Sequence, residues 1–199
     1  ASLRNWPLAV FFAFFPSWAI RGPFAQTIRK WDELLAGGQK VVAIGNSDAH
    51  GTPYHLGPIS RPVLAYAYLF GCVNTHVLLP KPLSGNAAAD RKMFFEAVGA
   101  GRCFIGYDRP ASTRGFSFTA KSGAAVATMG ETLVRSSATQ FRIEAPARAQ
   151  LRLLRDGKVI ARQTGRVLEW MDSSPGVYRA EASRVYRLAN RPWIFSNPI

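Results

Sequence analysis

Trp31–Gly51 reads WDELLAGGQKVVAIGNSDAHG, and its three parts decide the fold class: a helix end, a short apolar run and a polar loop. Upstream, Pro23 suits a first helical turn, and Phe24, Ile28, Trp31 and Leu35 recur at the spacing of one helix face. Gly37-Gly38 then ends the helix. Lys40-Val41-Val42-Ala43-Ile44-Gly45 is continuously apolar after its first residue, as expected of a strand buried on both sides. Helix followed by buried strand is the rhythm of an α/β protein. The unit recurs in looser form: a strand over Cys72–Leu79, a helix over Asp90–Ala100 with Met93, Phe94, Ala97 and Val98 inward, and a strand over Arg102–Gly106.

Beyond Asp108 the period changes to two. Phe116 and Phe118, then Phe141, Ile143 and Ala145, alternate with other residues, and Asp156-Gly157 separates two apolar runs as a hairpin turn would. Further strands are expected at Arg166–Trp170 and Val177–Val185, with Ser173–Gly176 as the turn between them. The expectation is an α/β segment over residues 1–108, then an all-β segment over 109–199 forming an antiparallel β-sandwich of six or seven strands.

The 199 residues carry 25 Lys+Arg against 12 Asp+Glu, a net charge of +13, which first suggests an anionic partner. Residues 1–108 hold +4 and residues 109–199 hold +9. The arginines of the second segment are dispersed singly among apolar residues, the pattern of a solvated sheet face rather than of a nucleic-acid surface. Cys72 and Cys103 are too few for a disulfide framework, form no metal-binding CxxC, and assign no compartment. The apolar stretch Pro7–Ile20 is broken by Pro16 and Ser17 and is shorter than the about 20 residues of a spanning helix. It reads as a buried core segment rather than as a signal sequence. The chain opens Ala1-Ser2-Leu3 without methionine, as a cut or processed piece of a longer protein would.

The chemistry lies in Gly45-Asn46-Ser47-Asp48-Ala49-His50-Gly51. This loop follows the C-terminal end of the expected strand, where α/β folds place their sites. In extended backbone Asp48 and His50 project to the same side, offering a carboxylate and an imidazole to Zn²⁺, Mn²⁺ or Fe²⁺. The plainer reading has Asp48 capping a turn and His50 as a polar loop residue.

The run VVAIGNSDAHG, preceded by WDELLAGG and followed by NTHVLLPKPLSG and EAVGAGRCFIGYD, resembles the last part of the PHP (polymerase and histidinol phosphatase) domain, in its carbaryl-hydrolase-like branch. The resemblance implies that residues 1–108 are the C-terminal part of a metal-binding (β/α)7 barrel and that the following β-sandwich, 109–199, belongs to the same branch. It further implies divalent metal ions that activate water against a small phosphate or carboxylic ester, with Asp48 and His50 matching the final metal-binding motif. The family's opening H-x-H motif and its further Glu, Asp and His ligands are missing here, the only histidines being His50, His55 and His76. Two ligands do not hold a catalytic metal cluster, so these residues alone are expected to be inactive.

Three more residues carry paired readings. His55, in a loop bounded by Gly51 and Gly57, either reaches metal or substrate, where it would protonate the leaving group, or makes ordinary loop contacts. His76 either faces substrate at the barrel mouth or is a hydrogen-bonded histidine within a strand. Arg21, before Gly22-Pro23, either pairs with a substrate phosphate or carboxylate at a helix start or makes a surface salt bridge. The competing function is a non-catalytic module whose basic β-sandwich docks an anionic partner.

Overall fold

The computed structural model describes residues 11–12, 14–51, 53–56, 59–62, 65–134, 136 and 138–199, with the backbone alone for 53–56 and 59–62. Four helices are labelled here: α1 (Pro16–Ala19), α2 (Ala25–Ala36), α3 (Tyr66–Leu69) and α4 (Ala87–Gly99). The strands are β1 (Pro53–Leu56), β2 (Ile59–Pro62), β3 (Val73–Val77), β4 (Cys103–Tyr107), β5 (Ser117–Ser122), β6 (Ala125–Thr128), β7 (Thr139–Arg155), β8 (Lys158–Asp172), β9 (Tyr178–Tyr186) and β10 (Ala189–Ser196). β1 and β2 form a separate hairpin; the other eight strands form one sheet, and every pairing in it is antiparallel.

This sheet overturns the expected barrel followed by a separate sandwich. β3 and β4, taken from sequence as α/β strands, pair antiparallel with each other, and β4 pairs with β10, so the sheet runs across position 108. The apolar run of β4 misled because it has a second cause: β4 is buried on both faces as an inner strand of an antiparallel sheet.

The long strand β7 organises the rest. One of its edges pairs with β8 along both ends, while the other pairs first with β5 and then with β9. If straight, the 14 residue-to-residue steps from Phe141 to Arg155 would span about 46 Å. Yet Phe141 stacks at 4.1 Å on Tyr178, the register partner of Arg155, so β7 must fold back. The fold lies where Ala145–Arg148 face the single residue Arg166 between the pairs Glu144↔Val167 and Ala149↔Gly165. Pro146, which has no N–H, sits in this bulge. One hydrophobic core results, joining Phe118, Phe141 and Ile143 from one arm to Leu151, Leu153 and Trp193 from the other.

The Asp156-Gly157 hairpin forms with both residues at positive φ, 50° and 74°, as the turn between Arg155 and Lys158 requires. Helix α2 buries Trp31 and Leu35 and ends at Gly37. Asn86 caps α4 by accepting bonds from the Ala88 and Ala89 amides, starting the helix three residues before its expected start. α4 buries Ala97, whereas Phe94, expected inward, is exposed and packs edge-on against Phe95. In the stretch expected to be core, Phe11, Phe14 and Phe15 are exposed, and Phe11 packs on Phe15 and Trp18. Residues 1–10 lie outside the described residues. No helix among the described residues is long and apolar enough to cross a membrane.

Several of the dispersed arginines meet carboxylates. Arg142 pairs with Glu169 and Glu144, Arg152 with Glu181, and Arg155 with Asp172. Arg179 and Arg191 are exceptions to a solvated face: both are buried, Arg179 between Asp32 and Glu181.

Candidate functional site

Residues 40–45, expected to be a buried strand, make no ladder, and Ile44 is 63% exposed. Their backbone bonds go to side chains instead. The Asn197 amide holds Ala43, accepting from its N–H at 2.8 Å and donating to its carbonyl at 3.0 Å, and it also donates to the Cys103 carbonyl at 2.9 Å. Thr75 Oγ1 accepts from the Gly45 N–H at 2.9 Å and stands 2.8 Å from the Gly45 carbonyl, to which it donates. Thr75 is the partner of Ile105, so the segment lies against the face of β3 and β4 that carries these two residues. Ser47 continues the attachment, donating to the carbonyls of Leu69 and Val73 and accepting from the Val73 amide at 3.2 Å.

Past this anchor the chain turns. Asn46 Oδ1 accepts a 2.8 Å bond from the Asp48 N–H, closing an Asx turn, and Asp48 lies at φ 46°. Asp48 and His50 therefore meet through a turn with a left-handed residue, not through the extended backbone expected from their spacing. Their contact is direct: Asp48 Oδ1 is 2.9 Å from His50 Nε2, with the side chains 87% and 73% exposed. Tyr66 Oη donates to the His50 carbonyl at 2.8 Å. A Cβ on Gly51 would stand 2.3 Å from the Tyr66 ring, so this contact requires glycine there. Beside the pair opens a cleft of about 400 Å³, lined by Gly45–Ala49, Phe70, Val73, Asn74 and Thr75.

An O···N separation of 2.9 Å is a hydrogen-bond distance, shorter than the about 3.4 Å between two ligands of a tetrahedral ion at about 2.1 Å each. No group of three or more His, Cys, Asp or Glu side chains that could hold a metal exists among the described residues. Asp48 and His50 are two groups, fewer than the three or more protein ligands that a catalytic ion takes. His55 faces Ser60 across the β1–β2 hairpin, and its side chain lies outside what is described. Arg21 is exposed, with its guanidinium 6.0 Å from the Phe12 ring, and is not among the residues lining the cleft.

His76 sits elsewhere, within β3, in a polar knot. Its ring stacks on Phe104 at 4.7 Å, and Nε2 lies 2.9 Å from both Asp108 Oδ2 and Thr113 Oγ1. Asp108 also accepts from Asn74 Nδ2 and from the Thr113 N–H and hydroxyl. Burial opposes ionisation of Asp108, but the bonds from Thr113, Asn74 and His76 outweigh it and hold its carboxyl below the usual carboxylate range. A depressed folded pKa contributes stability above the unfolded value, about 3.9, and loses it as pH falls through the folded one. Asp108→Asn should cost about 2 kcal/mol at pH 7 and flatten the loss of stability below about pH 4. Flattening would be partial, because Asp90 and Asp172 are depressed as well. Urea melts from pH 2.5 to 7 read both effects; an acid limb unchanged by the substitution would contradict the assignment.

The clip residues Asn197, Thr75 and Ser47 were invisible as site residues in the sequence, since each acts on backbone far along the chain. Comparison with protein-family models, with curated proteins and with solved structures found no match for this chain.

Proposed function

We propose that this chain furnishes Asp48 and His50 as metal ligands in a metal-dependent hydrolase of phosphate or carboxylic esters. The observation that carries the reading is their presentation: a carboxylate oxygen and an imidazole nitrogen 2.9 Å apart, open to solvent, beside a cleft. The likeness of Val41–Gly51 to the last metal motif of the PHP family supports the same chemistry. A bound Zn²⁺, Mn²⁺ or Fe²⁺ would supply an activated water and polarise the ester oxygen. Such an ion takes three or more protein ligands, so the others come from outside the described residues, and these 199 residues alone are expected to be inactive.

What the chain itself contributes is positioning. Ser47, Thr75 and Asn197 hold the backbone leading into the turn, and the Asx turn of Asn46 sets the direction of the Asp48 carboxylate. His55 is the candidate acid for the leaving group.

The test uses the polypeptide that carries these residues, isolated with its metal. Asp48→Ala and His50→Ala are each expected to lower bound metal, measured by elemental analysis, and hydrolysis of p-nitrophenyl phosphate or p-nitrophenyl acetate by at least about tenfold. His55→Ala should lower turnover at unchanged metal content. Full metal content and turnover in the Asp48→Ala/His50→Ala double variant would refute the proposal. The competing basic-module reading predicts salt-sensitive binding to heparin without metal, and several of the arginines it relies on are already matched by carboxylates.

A further inference from the structure

β9 and β10 set two arginines directly opposite each other, Arg184 and Arg191 being register partners. Residues paired in this way share one face of the sheet with Cβ atoms about 4.5–5.5 Å apart, and like charges so placed repel. Nothing in the chain answers them. Each of its twelve Asp and Glu side chains has its partner elsewhere, and none forms an ion pair with Arg184 or Arg191. Tyr107 is no counter-ion either: burial pushes its phenol well above the ordinary tyrosine value, against the pull of the Arg191 charge, so it stays neutral at pH 7.

Arg191 is 8% exposed, and Arg184 is partly buried with its guanidinium 4.9 Å from the Trp193 ring centre. One nitrogen of each is sealed off without a hydrogen-bond partner, Nε of Arg191 and Nη1 of Arg184. The remaining guanidinium nitrogens, Nη1 and Nη2 of Arg191 and Nε and Nη2 of Arg184, also lack a partner among the described residues but are not sealed, so they are the ones open to a ligand. Two adjacent guanidiniums with open, unpaired donors repel each other until an oxyanion accepts from both.

We propose that Arg184 and Arg191 together bind one phosphate group, free or carried by a small molecule, through their open guanidinium nitrogens. Their paired positive charges match the charge of about −1.5 to −2 that a phosphate monoester carries at pH 7. The site stands on β9 and β10 and does not depend on the chemistry of Asp48 and His50.

The test titrates the intact chain, at fixed ionic strength, with inorganic phosphate and in parallel with glycerol 1-phosphate, following backbone amide and arginine Nε–H resonances by NMR. Saturable shifts are expected at Arg184 and Arg191, and the tighter of the two probes tells whether free phosphate or a phosphomonoester is the ligand. Arg184→Gln and Arg191→Gln should each weaken the tighter probe by at least about tenfold, the loss of one charge-assisted hydrogen bond or more. Both variants should unfold cooperatively in urea, which establishes that they fold, and phosphate should raise the urea midpoint of the parent but not of the variants. Absence of saturable shifts, shifts confined to other parts of the chain, or equal affinity in the parent and both variants would overturn the proposal and leave two solvated arginines.

Discussion

Replacing Arg179 by alanine is expected to destabilise the protein by about 3–5 kcal/mol, the usual cost of stranding a buried charge partner. Arg179 is 2% exposed on β9 and forks onto Asp32 of α2, with Nε at 2.7 Å from Oδ1 and the second terminal nitrogen at 2.8 Å from Oδ2. Its other terminal nitrogen donates to Glu181, and its guanidinium lies 5.2 Å from the Trp31 ring centre. Burial works against its charge, but the bonds to Asp32 and Glu181 prevail and raise its pKa above the ordinary arginine value. Truncation removes the partner that answers Asp32 and leaves Glu181 with Arg152 alone. It also removes the clasp between α2 and the sheet. Arg179→Lys keeps the charge but not the fork, and should fall between parent and alanine. Equilibrium urea unfolding measures all three; a loss below about 1 kcal/mol for alanine would mean that Asp32 and Glu181 find other partners.

Asn197→Ala should cost about 2–4 kcal/mol, because it leaves the N–H and carbonyl of Ala43 and the carbonyl of Cys103 without their bonds. The effect is local as well as global. Amides of residues 41–45 should exchange with solvent much faster than in the parent, while those of β7 and β9 keep their relative protection. Since the same segment leads into Asp48 and His50, the variant of the metal-loaded polypeptide should also bind its metal more weakly. Asn197→Asp separates the roles, retaining the acceptor for the Ala43 amide and losing the donors. Exchange at 41–45 that is unchanged in Asn197→Ala would remove Asn197 as the clip.

What could be read from the sequence was mainly local. The buried Trp31 and Leu35 of α2 before Gly37-Gly38, the Asp156-Gly157 turn and the proximity of Asp48 to His50 all follow from neighbours along the chain, whereas Phe24, expected on the same helix face, lies before the helix and is exposed. The strand expected at 40–45 failed because its apolar run satisfies its backbone through Asn197 and Thr75, 154 and 30 residues away, and no periodicity signals that. β10 was missed for two reasons. It contains Pro192, and it follows a turn, Arg187-Leu188, whose residues both have positive φ without the glycine or asparagine that would mark it. The bulge at Ala145–Arg148 looks in sequence like the end of one strand and hides the fact that β7 continues through it into the other arm. At the candidate site, adjacency of Asp48 and His50 was legible, but the turn that produces it depends on the Asn46 side chain.

The place of β10 in the sheet sets a timetable for biosynthesis. β4 has β3 on one side and β10 on the other, and β10 also carries β9, yet β10 is the last of these strands to leave the ribosome. Until about Ser196 has emerged, β3 and β4 have no route into the sheet, and the Asn197 amide that holds Ala43 does not yet exist. At about 5–20 residues per second, the roughly 80 residues between β4 and β10 keep Phe104 and its apolar neighbours waiting for several seconds, a window in which a nascent chain depends on chaperones.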